Sequence, residues 1–373
     1  MKRKSPSNAT SALHTRLRLE GADPSVTPLF QNSAFEASSP YFYTRKNNPN
    51  SEEFERVVCA FEEAKHGISV TTGMTAISLV LNLVPAGGSI LISKFIYGCT
   101  YKLFQRVAAR NNLDLHIVDL TDLEGVRQLR KKFDLVFFET PTNPFLLTIP
   151  IAGLVDIVRA ENPDVLVAVD NTWASPLFQK PLKLGADMSL HSATKYLSGH
   201  SDVMGGIILV DRDDLHEQLS GERFYHGAIL DPHSAWLLRR SLQTLSIRMK
   251  QHAVAAREML GFLQALPQVE KVYFPEIDPE QLVDYGCIVF FEFAQPYRDL
   301  YEKFRDRLQI FQTGTGMACV TSMVAQPFSG SHASLSDDEK TNMNIGRDLV
   351  RLCFGLEDIE DLKADLVGAL EQL

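Results

Sequence analysis

Between about Ile68 and Val210, short runs of Val, Ile, Leu and Phe alternate with stretches of helical periodicity. The runs Ser89–Ser93, Leu113–Val118, Leu135–Glu139, Val165–Asp170, Met188–His191 and Gly206–Val210 read as strands, and Ile68–Thr71 is strand-like. Thr75–Leu83, Tyr101–Asn111 and Ile151–Ala160 read as the helices between them. Strands that are apolar almost throughout predict a mostly parallel sheet covered by helices on both faces. Such a sheet takes its ligands outside the carboxyl ends of its strands.

After about Asp231 the pattern changes. Ala235 to Leu266 predicts one long helix ended by Pro267. A strand (Cys287–Phe293) and a helix (Asp299–Leu308) follow. Ile359, Leu362, Leu366 and Leu370 then mark a final helix with one apolar face. The fold class is therefore α/β, with a smaller C-terminal α/β domain. A length of 373 residues suits two compact domains, and we divide the chain into 1–45, 46–230 and 231–373. There is no internal repeat and no low-complexity linker.

Composition narrows the function classes. A net charge of −9 argues against a nucleic-acid partner, a polyanion or an acidic lipid surface. No apolar run approaches the roughly 20 residues that span a bilayer. Met1–Thr10 is basic and rich in Ser and Asn but has no apolar stretch behind it, so it reads as a frayed tail rather than a secretory signal. Cys59, Cys99, Cys287, Cys319 and Cys353 are widely spaced, which suits a reducing cytoplasm and carries no zinc signature. No metal is expected.

The polar residues of interest cluster at strand ends. Lys195 follows Ser192-Ala193-Thr194 and precedes Gly199-His200. A lysine among hydroxyls and apolar neighbours loses its proton more readily than a solvated one, as Schiff-base chemistry requires. Alone it would read as a surface lysine. Asp170 lies 25 residues earlier, one strand–helix–strand unit away. It suits a protonated pyridine nitrogen, or else a helix cap before Asn171-Thr172. Thr72-Gly73-Met74 opens a helix whose free N–H groups can cradle a phosphate. The Tyr97 ring can stack on a flat cofactor or simply fill the core. Glu139 and Asn143 stand in Glu139-Thr140-Pro141-Thr142-Asn143-Pro144, again at a strand end.

Taken in order, Thr72-Gly73-Met74, Tyr97-Gly98-Cys99-Thr100, Glu139 to Pro144, Asp170-Asn171-Thr172 and Ser192-Ala193-Thr194-Lys195-Tyr196 resemble the Cys/Met-metabolism family of fold-type-I pyridoxal-phosphate (PLP) enzymes. Its members include cystathionine γ-synthase, cystathionine γ- and β-lyases, methionine γ-lyase and O-acylhomoserine sulfhydrylases. The resemblance runs from about Leu13 to the C-terminus.

It implies that 46–230 is the PLP-binding domain and that Lys195 holds the cofactor covalently and acts as the catalytic base. It implies that Asp170 pairs with the pyridine nitrogen, Tyr97 stacks on the ring and assists the leaving group, and Asn143 lies near the phenolic oxygen. Gly73, Met74, Ser192 and Thr194 would hold the phosphate. Tyr43-Thr44-Arg45 resembles an arm that grips the phosphate of a neighbouring subunit, an arginine task because the planar fork binds two oxygens. The implied assembly is a homotetramer of dimers with shared sites, 1–45 being the extension and inter-subunit arm. Arg351 matches the clamp for the substrate α-carboxylate, with Gly316 and Met317 in the substrate pocket.

The implied reaction is γ-substitution or γ-elimination on a homoserine-derived or sulfur-containing amino acid. A C–S lyase releasing thiol, 2-oxo acid and ammonia is the alternative. An aminotransferase and a non-catalytic regulatory homologue are remoter readings.

Three departures stand out. The chain is shorter than the family between Phe35 and Tyr41 and between Pro275 and Gly286, and such trimmed loops are expected to widen the entrance or alter subunit contacts. Counting back from Pro327 and His332, the family's Ser-Leu-Gly falls on Gly316-Met317-Ala318, and a glutamate of many relatives falls on Thr321. Loss of that carboxylate removes a partner for a distal substrate ammonium, which points to a specialised substrate.

Overall fold

The computed structural model describes residues 7–15, 17 and 24–373. The larger sheet contains β1 (His66–Val70), β2 (Ser89–Ser93), β3 (Asp114–Val118), β4 (Leu135–Glu139), β5 (Leu166–Asp170), β6 (Met188–Ser192) and β7 (Gly206–Val210). Their order is β1-β7-β6-β5-β4-β2-β3, and β7 alone runs against its neighbours. The expected mostly parallel sheet is thus present.

Its apolar strands follow from burial on both faces. In β4, Leu135 and Phe137 join the core beneath the helices Gly73–Leu81 and Gly98–Asn111. Val136 and Phe138 join the opposite core with Leu154 and Val158 of the helix Ile151–Glu161. Polar residues are then confined to the strand ends, where Glu139 and Asp170 stand side by side in register.

A second sheet lies C-terminal to it. Its strands are β8 (Val269–Tyr273), β9 (Ile288–Phe293), β10 (Gln312–Thr313), β11 (Met323–Ala325) and β12 (Leu349–Cys353). They are ordered β10-β11-β12-β9-β8, and all pairs but β10–β11 are antiparallel. In β9, Val289, Phe291 and Phe293 face Met259, Leu263, Leu362 and Leu366 of two covering helices, while Ile288 and Phe290 face the other core. The final helix is Ile359–Leu370, as its apolar spacing predicts.

Several expectations need correction. The long helix is two, Pro232–Leu242 and Leu245–Gln264. At the break, Gln243 N–H and Thr244 N–H turn back to Arg240 O and Ser241 O, and the Thr244 hydroxyl also donates to Ser241 O. A β-branched residue that bonds backward in this way competes with continuation of the helix. The helix expected at Asp299–Leu308 is only Tyr301–Arg305, because Arg307 and Leu308 close with bonds of 3₁₀ type. Of the expected frayed tail, residues 1–6 lie outside the described residues. Its remainder enters the helix Asn8–His14, capped by the Ser7 hydroxyl and with Ala12 buried.

The shortened segment between Pro275 and Gly286 is a latch. The Gln281 amide donates to Ile149 O at 2.9 Å and to Gln179 Oε1 at 3.2 Å, and its oxygen accepts from Ile151 N–H at 2.9 Å. Leu282 is fully buried, and Val283 N–H donates to Phe178 O. Gln179 in turn bonds Asn171, the residue after Asp170. The trimmed loop therefore ties the second sheet's region to the back of the first sheet's strand ends. Replacing Gln281 by Leu would leave Ile151 N–H buried and unpaired and would leave Ile149 O with the Thr140 hydroxyl as its donor, at 3.3 Å. Chemical unfolding is expected to register a loss of about 1–3 kcal/mol, against about 0.5 or less for Ala at the exposed neighbour Glu280.

Candidate active site

The carboxyl ends of β4, β5 and β6 and the start of the helix Gly73–Leu81 enclose a cavity of about 340 Å³. That is a normal size for a cofactor or small-ligand site. Lys195, Asp170, Tyr97, Asn143 and Arg351 all line it. So do Gly73, Met74, Ser192 and Thr194.

One end is built for a phosphate and a cationic ring. The Thr72 hydroxyl caps Thr75 N–H. The preceding N–H groups of Gly73 and Met74 have no intrahelical partner, as in any first turn. A Cβ on Gly73 would lie 2.8 Å from Ser192 Cβ, so only glycine lets the helix start approach β6 this closely. Asp170 Oδ1 accepts from Thr172 N–H at 3.0 Å and from its hydroxyl at 2.5 Å. Burial raises the Asp170 carboxyl above its usual range, against the opposing pull of Thr172 and His191. Burial also raises Glu139 strongly, and the Asp170 charge adds to this, although Tyr97 N–H and Trp173 counter it. Glu139 Oε2 and Asn143 Oδ1 are buried without a partner. A buried and a half-buried carboxylate, unpaired oxygens and a free helix start are the complement of an anionic phosphate joined to a protonated heterocycle. The residues fit pyridoxal phosphate.

The other end presents a buried cation. Arg351 of β12 is buried, and its Nη2 donates to Thr315 O at 3.1 Å and Gly316 O at 2.9 Å. Its Nε has no partner. Burial pulls the guanidinium below its usual range, so an incoming anion would be strongly held. Burial likewise lowers Lys195, and the Arg351 charge lowers it further, while Cys353 and Cys319 oppose the shift. The Lys195 amine is thereby favoured in its neutral, proton-accepting form. Tyr97 goes the other way: burial, then a hydrogen bond and charge from Cys99, push its phenol up to about 12. It stays a proton donor at neutral pH.

Not every expected residue is in the cavity. Tyr43 and Arg45 lie outside it, with the Arg45 guanidinium 4.4 Å from the centre of the Phe224 ring and 5.7 Å from that of Tyr43. Gly316 lines an adjoining recess with Met317 and Lys195. A Cβ on Gly316 would lie 2.5 Å from Met323 Sδ, so Met323 occupies the side-chain space that the glycine gives up. Thr321, where the relatives' carboxylate was placed, does not line the cavity; Thr315 does. The sequence reading also missed Trp173, Met204 and Ser331 in the lining. Trp173 had a usable signal, being one of two tryptophans and directly after Asp170-Asn171-Thr172. Ser331 had none, since its loop is distant in sequence and reaches the site through the close approach of Gly98 to Ser331 O and through His332 against Ile96 O.

Known proteins resemble the chain along nearly its whole length. The pattern of the Cys/Met metabolism PLP-dependent enzymes matches residues 9–371. L-methionine gamma-lyase of Fusobacterium nucleatum subsp. nucleatum is 34% identical over 100% of both chains. Cystathionine beta-lyase of Lactococcus lactis subsp. cremoris is 32% identical over 97% of this chain and 98% of its own. The solved cystathionine gamma synthase of Xanthomonas oryzae pv. oryzae, in complex with aminoacrylate and cysteine, superposes with a TM-score of 0.94 at 31% identity, covering 99% of each chain. The chain belongs to the Cys/Met metabolism family of PLP-dependent enzymes.

Proposed function

We propose that the protein catalyses γ-elimination or γ-substitution on an α-amino acid with a leaving group at the γ-carbon, and that the leaving group is uncharged. The observation that carries this reading is one cavity joining a neutral-leaning lysine, a carboxylate-hungry arginine and a protonated phenol. Bound pyridoxal phosphate supplies an electron sink for charge that develops at the α-carbon. Arg351 holds the substrate carboxylate and so fixes the α-carbon. The Lys195 amine takes the α-proton; once it has handed that proton on and is neutral again, the same amine can take a β-proton as the γ-bond weakens. Tyr97 donates a proton to the departing group. Asp170 keeps a positive charge on the ring nitrogen, while Gly73, Met74, Ser192 and Thr194 hold the phosphate and Asn143 the phenolic oxygen.

The substrate class follows from charge. Besides Arg351, the residues after 300 that line the cavity are Thr315, Met317, Gly330 and Ser331, all neutral. The cavity's carboxylates, Glu139 and Asp170, end strands on the cofactor side. A thioether or a small acyl ester suits this wall better than a second ammonium group. The C–S lyase reading is supported by the likeness to a methionine gamma-lyase.

Tyr43 and Arg45 stand outside their own chain's cavity, which supports sites shared between subunits, in a homotetramer of dimers working in the cytoplasm. Among the described residues no helix is long and apolar enough to cross a membrane. In this reading 1–45 carries the arm, 46–230 binds the cofactor and 231–373 supplies the substrate clamp.

Three outcomes are expected. A panel of methionine, O-acetyl- and O-succinylhomoserine and cystathionine, with and without added thiol, should give its highest kcat/KM for methionine or the acetyl ester. Cystathionine as best substrate would sink the uncharged-leaving-group proposal. Thr315→Glu should raise cystathionine turnover relative to methionine, read as a ratio of kcat/KM values. Lys195→Ala and Arg45→Ala, each inactive alone, should recover activity when refolded together, because a mixed dimer holds one intact shared site; no recovery would contradict sharing.

A further inference from the structure

Arg248, in the first turn of the helix Leu245–Gln264, lies outside the cavity yet is almost fully buried. Its hydrogen-bond acceptors are neutral: Tyr196 O at 2.8 Å, Ser241 O at 3.0 Å and Thr244 Oγ1 at 3.1 Å. A buried cation held by neutral oxygens is costly, and an apolar side chain of similar length could fill the volume without that cost. What the guanidinium supplies is directed hydrogen bonding.

It directs the turn that carries Lys195. Tyr196 is the next residue, and Gly199 N–H closes the turn onto Lys195 O at 2.7 Å. Gly199 has φ +71°, and a Cβ there would collide with Arg248 Nη1, so the guanidinium fills the space the glycine leaves. Gly199 O accepts from Val320 N–H at 3.0 Å, in the segment beside Met317. One turn further along the helix, on the same face, is His252. Its Nδ1–H donates to Phe354 O at 3.0 Å, three residues beyond Arg351, and its ring meets the Tyr196 ring at a centroid distance of 5.9 Å. A single helix face thus grips both the Lys195 turn and the end of the Arg351 strand.

We propose that Arg248 and His252 are positioning residues, through which the helix Leu245–Gln264 fixes the Lys195 amine relative to the Arg351 guanidinium and hence to the α-proton of a bound amino acid. The proposal rests on the roles assigned above to Lys195 and Arg351. Burial lowers Arg248 to about 10, which leaves it charged at neutral pH. Burial, and then the Arg248 charge, lowers His252 to about 4, which leaves it neutral with a fixed N–H donor.

The test uses the holoenzyme and the variants Arg248→Met, Arg248→Lys, His252→Leu and His252→Asn. The substrate is the amino acid that the wild type turns over fastest. Turnover per bound PLP, KM, the α-deuterium isotope effect on kcat, the visible circular dichroism of bound PLP and thermal unfolding are measured. Arg248→Met should lose about 10- to 100-fold in kcat, the scale of a small misplacement of reacting groups. KM should stay within about threefold, since carboxylate binding is kept. The isotope effect should rise and the dichroism change, because proton transfer becomes limiting in a shifted site. Arg248→Lys and His252→Asn, which keep a donor, should recover part of the loss. If Arg248→Met does not fold, His252→Leu gives the same readouts. Variants that merely unfold at lower temperature, with kcat per bound PLP, isotope effect and dichroism unchanged, would overturn the proposal. A wild type that takes up no PLP would overturn the proposed function and this inference together, and that outcome is seen before any variant is made.

Discussion

Asp170 ends β5 in the middle of a sheet with apolar faces, and its half-buried carboxyl stands beside the buried one of Glu139. Among the described residues neither carboxyl forms an ion pair with a cation. Burying charge this way is unfavourable unless something compensates it. Across the same cavity Arg351 has the opposite problem, a buried cation bonded only to carbonyl oxygens. The site is thus short of a cation at one end and of an anion at the other. A protonated pyridine ring and an amino-acid carboxylate answer both needs, and the free helix start at Gly73 answers the phosphate.

This arrangement depends on the sheet more than on any single contact. Parallel strands with both faces covered leave only their ends for polar groups, and β4, β5 and β6 deliver Glu139, Asp170 and Ser192 to one edge. The second sheet brings Arg351 to the same space from a different part of the chain. Lys195 sits between, on a turn that leaves β6 with Lys195 N–H on Ser192 O and that the helix Leu245–Gln264 holds through Arg248 on Tyr196 O. The polar chain from Gln281 through Gln179 to Asn171 braces the strand ends from behind.

Much of this was legible in the sequence. The strand positions could be read because double burial makes them continuous apolar runs, and the residues after each run stood out as polar. The grouping of Gly73, Asp170 and Ser192 in one cavity was readable for the same reason, since each is fixed by local strand–turn–helix geometry. What could not be read depends on distant contacts. The split at Gln243-Thr244 depends on a backward-bonding hydroxyl and on Arg248 reaching Ser241 O, neither of which leaves a periodic signature. The choice between Thr315 and Thr321 turns on how the chain crosses over between the parallel strands β10 and β11, and ungapped counting does not show which side chain faces the cavity. The Gln281 latch was hidden because a shortened loop looks like a loss, whereas here it brings an amide into a buried gap.

The account stands on Lys195 as the point of cofactor attachment. The direct measurement is to incubate the purified protein with pyridoxal phosphate, reduce with borohydride, digest and locate the added mass. A visible absorption band that is lost on reduction, with the pyridoxyl group fixed on Lys195, is the predicted result. A protein that stays colourless, or that carries the label on other lysines with Lys195 unmodified, would contradict it.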